Sequence, residues 1–301
     1  MTQIETIPTE QKVYEKADLV RQLRSMGIED GDTLVARVGL RSMGPLRKPG
    51  DRTLLESFQE VLGSRGTLLV YTHSPVQWIF RRDKSYVFDP ATAPSITGRF
   101  AQLVLETEGA YRSAHPTASM TALGRHARDI LHDHDHEATS FAPFKHLIDM
   151  GAKQILIGCA YSDPGYGTPH YVYEQLGLAD HSLLSGLRGC YIRKGSEVVW
   201  FKQRDVPGCS RGFHRFYPLY DEKSALISGK VGDAESFLTR TGDAYQVELD
   251  AVKKSLTISL CEHADCYECR ATKLFNLREM IPYLLLCAPR KVFKRIARVW
   301  R

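Results

Sequence analysis

No apolar run in this chain reaches the ~18 residues of a membrane span. The start, MTQIETIPTEQKVYEK, carries acids where a secretory signal carries a basic end and an apolar stretch. A cytoplasmic protein is therefore expected. Cysteine is sparse: seven in 301 residues are too few for a disulfide scaffold. The odd count fits a reducing compartment, where thiols bind metal or pack as small apolar groups. There is no internal repeat and no Pro/Ser-rich linker. Also missing are a Gly-x-Ser-x-Gly elbow, a phosphate loop ending in Gly-Lys-Ser/Thr and a complete dinucleotide fingerprint, which demotes hydrolases of that type, P-loop enzymes and dehydrogenases.

What remains is ordinary globular composition, 43% hydrophobic and 25% charged, enough to bury a core. The formal net charge of +5 is not spread over the chain. Arg290, Lys291, Lys294, Arg295, Arg298 and Arg301 supply six basic residues without an acid, leaving 34 basic against 35 acidic groups elsewhere. A near-neutral body lacks the basic stripe of a nucleic-acid binder, so no nucleic-acid partner is expected. On a helical wheel the six basic residues face one way and Val292, Phe293, Ile296, Val299 and Trp300 the other. This pattern suits either peripheral contact with an anionic membrane or a terminal helix docked on the core.

Hydrophobic periodicity predicts a helix through Leu19, Val20, Leu23 and Met26, a strand over Thr33–Val38, a helix over Thr53–Leu62 and a strand over Thr67–Tyr71. Further helices are expected near Gly98–Glu106 and Arg125–Leu131, a strand at Gln154–Ile157, and a helix from Pro169. Alternating strands and helices predict an α/β fold: a single domain with a mostly parallel central sheet flanked by helices. Gly189–Arg193 with Glu197–Lys202 adds a small antiparallel insertion, and the C-terminal part reads as helical, with residues 1–270 forming the main domain and 271–301 a basic amphipathic tail. Ligands of such sheets sit beyond the carboxyl ends of the strands, here the loops after Val38, Tyr71 and Ile157.

The loop after Ile157 leads to Gly165, Gly167, Thr168, Pro169, His170 and Glu174. Histidine titrates near neutrality and is the natural base for removing a proton from an attacking nitrogen. His170 stands at the predicted start of a helix, where free amides stabilise a developing oxyanion. Thr168 is a helix cap or an oxyanion donor. Glu174, four residues on, shares a helix face with His170 and is expected to orient its ring or bind an ammonium. A capped helix bearing a solvated His–Glu pair explains the same letters without catalysis. His73, beyond the second strand, is a candidate substrate contact. The run His132 to Glu137 reads as a solvated loop.

Four stretches in this order resemble the aminoglycoside 3-N-acetyltransferase family: Leu40-Arg41-Ser42-Met43-Gly44, Gly66-Thr67-Leu68-Leu69-Val70, Arg112-Ser113-Ala114-His115-Pro116 and Gly167-Thr168-Pro169-His170 with Glu174. Phe88-Asp89-Pro90, Ala142-Pro143 and Val231-Gly232-Asp233-Ala234 fall where the family has similar segments. The resemblance covers roughly residues 15 to 270 and implies an acetyltransferase that moves acetyl from acetyl-CoA to an amine of a small molecule such as an amino sugar. It makes His170 the catalytic histidine and lays Arg41, Ser42 and Gly44 against CoA. Arg112, Ser113 and His115 lie in an ordered loop, where a guanidinium fork and a hydroxyl suit the CoA diphosphate. Two departures stand out. Arg37-Val38-Gly39 replaces a usual His-Ser-Ser, and Val206-Pro207-Gly208-Cys209 replaces a usual acid followed by histidine, so an aminoglycoside acceptor does not follow. A ligand-binding or membrane-surface assembly protein on the same fold, or transfer of another acyl group, are the alternatives. A homo-oligomer is compatible with the sequence.

Cys261, His263, Cys266 and Cys269 lie within nine positions and end in a Cys-x2-Cys knuckle; the resemblance adds Cys209, which matches an upstream cysteine of some family members, making five candidates for the four places of a tetrahedral structural Zn²⁺. Cys209, Cys266 and Cys269 are expected, with either Cys261 or His263.

Overall fold

The computed structural model describes residues 12–162, 164–180, 182–183, 186–203 and 209–287; the basic residues from Arg290 and the Val206-Pro207-Gly208 departure lie outside them. The strands are β1 (Thr33–Val38), β2 (Thr67–Tyr71), β3 (Gln77–Trp78), β4 (Val87–Phe88), β5 (Tyr111–Arg112), β6 (Met120–Gly124), β7 (Lys153–Ile157), β8 (Arg188–Lys194), β9 (Glu197–Lys202), β10 (Ile227–Val231) and β11 (Ala234–Arg240). The α-helices are α1 (Lys16–Ser25), α2 (Gly50–Leu62), α3 (Arg99–Leu105), α4 (Ala127–Leu131), α5 (Pro143–Asp149), α6 (Thr168–Gln175), α7 (Tyr217–Glu222), α8 (Thr241–Lys254), α9 (Tyr267–Arg270) and α10 (Leu277–Pro282).

The expected α/β architecture is found. A seven-stranded sheet runs β10-β11-β7-β1-β2-β6-β5, and its central trio is parallel, with Val35 of β1 opposite both Leu69 of β2 and Gln154 of β7. Both flanks are antiparallel: β6 and β5 extend one side, β11 and β10 the other. The pleat sends alternate side chains to opposite faces. Leu34, Ala36, Leu68, Val70, Ile155 and Ile157 meet α1, α2 and α3 on one face. On the other, Val35, Leu69 and Tyr71 pack against α4 and α5, while Leu156 and Phe237 pack against the aromatic residues of α7 and the start of α8. The expected insertion is β8 paired antiparallel with β9 and flanked by β3 and β4.

On that second face, the residues that end β1 and β2 are Arg37 and Tyr71. They stand over the mouth of α6, and this places the site.

Candidate active site

A cleft of about 200 Å³ opens beyond the carboxyl ends of the parallel strands. Arg37 enters it from the end of β1, Tyr71 and His73 from the end of β2, and Gly165 and His170 from the connection between β7 and α6. Phe141 and Ser210 close the sides. A Cβ at Gly165 would lie 2.6 Å from Arg37 Nε, so a larger residue there would displace the guanidinium that crosses it.

The His170 ring is held by aromatics. Phe141 stacks on it at 4.6 Å between centroids and 20° between planes, and Phe213 meets it edge-on at 4.9 Å. Burial, followed by the positive charge of Lys273, the neighbouring His73 and Arg37, pushes the imidazole down to about 3. The His73 imidazole is lowered to about 4, mainly by burial and then by Arg37. Its buried Nε2 has no hydrogen-bond partner among the described residues. Both rings are thus neutral acceptors at physiological pH. His73 and His170, expected from different loops, are brought into one cleft.

Glu174 requires a correction. Its carboxylate accepts the Thr139 hydroxyl at 2.8 Å and the Phe141 amide at 3.0 Å. The acid fastens the loop that carries Phe141, so it acts on the His170 ring through the aromatic stacked there. Thr168 is likewise redirected. Its buried hydroxyl donates to Glu248 Oε1 at 2.7 Å and accepts from Gln154 Nε2 at 2.9 Å, so it is spent inside the core and Gly167 is the N-cap of α6. Tyr220 also donates to Glu248. Burial raises the Glu248 carboxyl to about 8, keeping it mostly protonated beneath the start of α6 at neutral pH.

The expected CoA residues separate into two groups. Arg41 and Ser42 are exposed on a tight 3-10 turn just beyond the carboxyl end of β1, where Ser42 Oγ donates to the Gly158 carbonyl at 3.0 Å. Gly44 ends that turn at φ +73°, and a Cβ there would meet the Asp233 carboxylate. Arg112, Ser113 and His115 fasten loops. The Arg112 guanidinium donates to the Thr72 and Ala93 carbonyls and to Ser74 and Ser119 hydroxyls. Ser113 Oγ accepts the Met120 amide at 2.9 Å and pairs with His134 Nδ1 at 3.0 Å. His115 is fully buried, stacks on His134 at 4.8 Å, and accepts the Ala118 amide at 3.0 Å. The 132–137 run is therefore not wholly solvated, because His134 is a core residue.

The five metal candidates resolve to four. The sulfurs of Cys209, Cys261, Cys266 and Cys269 all lie within 4.8 Å of one another, whereas His263 is exposed and outside the group. Cys266 is held towards thiolate by its hydrogen bonds with Cys209 and Cys269, and Arg270 Nη2 donates to the Cys261 carbonyl at 2.6 Å. This cluster adjoins the cleft: Ser210, which lines it, follows Cys209 directly, and Phe213, against His170, is four residues on.

Sequence reasoning missed Arg37 as a cleft wall, Phe141, Phe213 and Glu248. The only signal was Arg37-Val38-Gly39 in place of the usual His-Ser-Ser, which brings in a permanent charge; aromatic clamps leave no local signature.

The profile of the aminoglycoside 3-N-acetyltransferase family matches residues 36–253. Aminoglycoside N(3)-acetyltransferase III of Salmonella sp. is 29% identical over 161 residues, 48% of this chain and 56% of its own length. The chain thus spans little more than half the length of that relative. Aminoglycoside N(3)-acetyltransferase IX of Micromonospora chalcea is 25% identical over 80% of this chain and 94% of its own. The crystal structure of apo aminoglycoside acetyltransferase AAC(3)-IVa superposes with a TM-score of 0.73 at 26% identity, covering 87% of this chain and 97% of that one. AAC-IIIb, known as a binary complex with CoASH, shares the fold at 18% identity and a TM-score of 0.68, over 81% and 97% of the two chains. The chain belongs to the aminoglycoside 3-N-acetyltransferase family.

Proposed function

We propose that the protein transfers an acetyl group from acetyl-CoA to the amino group of an amino sugar or related amine, with His170 as the base. The observation that carries this reading is the His170 imidazole: a neutral ring, clamped by Phe141 and Phe213, opening on a cleft at the carboxyl ends of parallel strands. The amine nitrogen attacks the thioester carbonyl carbon. As the C–N bond forms, its proton passes to the imidazole. The C–S bond then breaks and the imidazolium returns the proton to the departing CoA sulfur, so the enzyme ends unchanged. In the empty cleft the ring is a weak base; the oxyanion and thiolate that develop beside it raise its proton affinity as the reaction proceeds.

Stabilisation of the oxyanion falls to the first-turn amides of α6, which lack intrahelical acceptors. Arg41 and Ser42, exposed beyond the carboxyl end of β1, are the residues available to CoA phosphates. Thiol release from acetyl-CoA, followed with DTNB across a panel of aminoglycosides and nucleotide-linked amino sugars, tests the reading. Turnover with at least one amine is expected. No release with any amine, and no rise in melting temperature with acetyl-CoA, overturns it.

The cysteine cluster fits a structural zinc. Four sulfurs at ~2.3 Å from a tetrahedral ion stand about 3.8 Å apart, compatible with a group confined to 4.8 Å. The nearby Lys273 ammonium and Arg270 guanidinium offset the surplus negative charge of four thiolates. The ion would tie the 209–213 wall of the cleft to the C-terminal segment. One zinc per chain by elemental analysis, lost in Cys266→Ser/Cys269→Ser, is expected; a stoichiometry near zero in protein purified without chelator contradicts it.

A further inference from the structure

The C-terminal described segment turns its apolar side outward. Helix α10 and the turn that follows it bury Met280 and Tyr283, with the Tyr283 ring 6.4 Å from Tyr267. The opposite side leaves Leu277 51%, Ile281 54%, Leu284 43%, Leu285 69% and Leu286 61% exposed. Five large aliphatic side chains exposed within ten residues form a contiguous stretch rather than the scattered singles of an ordinary surface. From Met280 to Pro289 the sequence holds no charged residue, and it then runs into the six basic residues from Arg290 to Arg301 with no acid among them. Apolar residues followed at once by unopposed positive charge are complementary to one kind of surface: hydrocarbon beneath anionic headgroups. Phe293 and Trp300 add aromatic rings suited to the headgroup boundary. Among the described residues no helix is long and apolar enough to cross a membrane, so the contact lies on the surface.

We propose that the exposed apolar face of residues 277–287 docks the protein on an anionic lipid bilayer, the positive charge of the sequence that follows supplying the attraction to its headgroups. The segment is joined to the catalytic helix: Phe275 stacks on Tyr173 of α6 at 6.1 Å and 18°. Docking therefore sets the orientation of α6, and with it His170, relative to the lipid surface. The docking does not depend on the acetyltransferase reading.

Vesicle co-sedimentation of the full chain tests it, comparing phosphatidylcholine vesicles with vesicles in which about a third of the lipid is phosphatidylglycerol. Binding to the anionic vesicles only is expected, weakening as salt is raised. Leu285→Glu/Leu286→Glu should bind at least tenfold more weakly with unchanged melting temperature. A second variant, Arg295→Glu/Arg298→Glu, leaves the exposed leucines in place, acts through charge alone and should lose at least fivefold per position, the ~1 kcal/mol of each basic residue at an anionic surface. Failure to bind anionic vesicles overturns the proposal, as does equal binding to both vesicle types or wild-type binding by both variants. A concentration-dependent dimer that Leu285→Glu/Leu286→Glu dissolves, without vesicle binding, assigns the face to a second copy instead.

Discussion

Acidification should destabilise this protein through its buried histidines, and the size of the effect follows from their surroundings. His170 is held at about 3, His73 at about 4, and His115 well below its ordinary value, each mainly by burial. A folded-state pKa below the unfolded ~6.5 means that the unfolded chain takes up protons first. Stability is then lost as pH falls through ~6.5, at up to ~1.4 kcal/mol per pH unit per histidine. Between pH 7.5 and 5 this costs about 2 kcal/mol each for His170 and His73, about 4 kcal/mol for the two, and His115 acts in the same direction. Glu248 works in the opposite direction. Raised to about 8, its carboxyl stabilises fully below the unfolded value and loses that contribution as pH rises towards 8, so the same acidification returns about 3 kcal/mol. The net expectation is a loss of at least about 1 kcal/mol. Urea unfolding over a pH series measures it. His170→Gln should shrink the loss by about 2 kcal/mol and Glu248→Gln should deepen it by about 3 kcal/mol. A wild type whose stability is unchanged or higher at pH 5, with both variants parallel to it, would refute the reasoning.

Replacing Arg112 by Met removes a guanidinium that serves four neutral acceptors between β2, the 93 loop and β5; a loss of about 2–4 kcal/mol in urea unfolding is expected, while a variant as stable as wild type would return Arg112 to the ligand-binding candidates. Glu174→Ala frees the amide and hydroxyl of the 139–141 loop and should lower kcat about tenfold with the Tm falling only slightly, because Phe141 loses its seat over His170; unchanged kcat counts against positioning through Phe141. Cys266→Ser/Cys269→Ser should lower Tm and also weaken acetyl transfer, since Cys209 anchors the Ser210 and Phe213 wall. Full activity in a metal-free variant would separate the two sites.

Where a strand is a short, continuously buried apolar run, the sequence already reads as the structure does. Thr33–Val38 and Thr67–Tyr71 are β1 and β2 as expected, and the β8–β9 hairpin follows its predicted boundaries to within a residue. The antiparallel flanks were not legible. β10 is Ile-Ser-Gly-Lys-Val, mostly exposed along an edge, and β5 has two residues, too little apolar pattern to announce a strand. In the site, His170 and His73 were accessible because their loops follow strand ends. Glu174 and Thr168 were placed correctly along the chain, but their partners, Phe141 and Glu248, lie 33 and 80 residues away, and helical spacing says nothing about contacts made by the tertiary fold. The same limit applies to Arg112 and Ser113. A guanidinium that fits a diphosphate fits backbone carbonyls equally well, and only burial distinguishes them. Among the metal candidates, geometry alone could choose Cys261 over His263.

The central claim is that a neutral His170 accepts the proton when an amine attacks acetyl-CoA. The most direct measurement follows acetylated product by mass spectrometry, and free CoA alongside it, for wild type and His170→Ala with an amine that the panel identifies. The account predicts product and CoA in equal amounts, with kcat lowered 10²- to 10⁴-fold in the variant while acetyl-CoA still raises its melting temperature. Wild-type turnover by His170→Ala would contradict it.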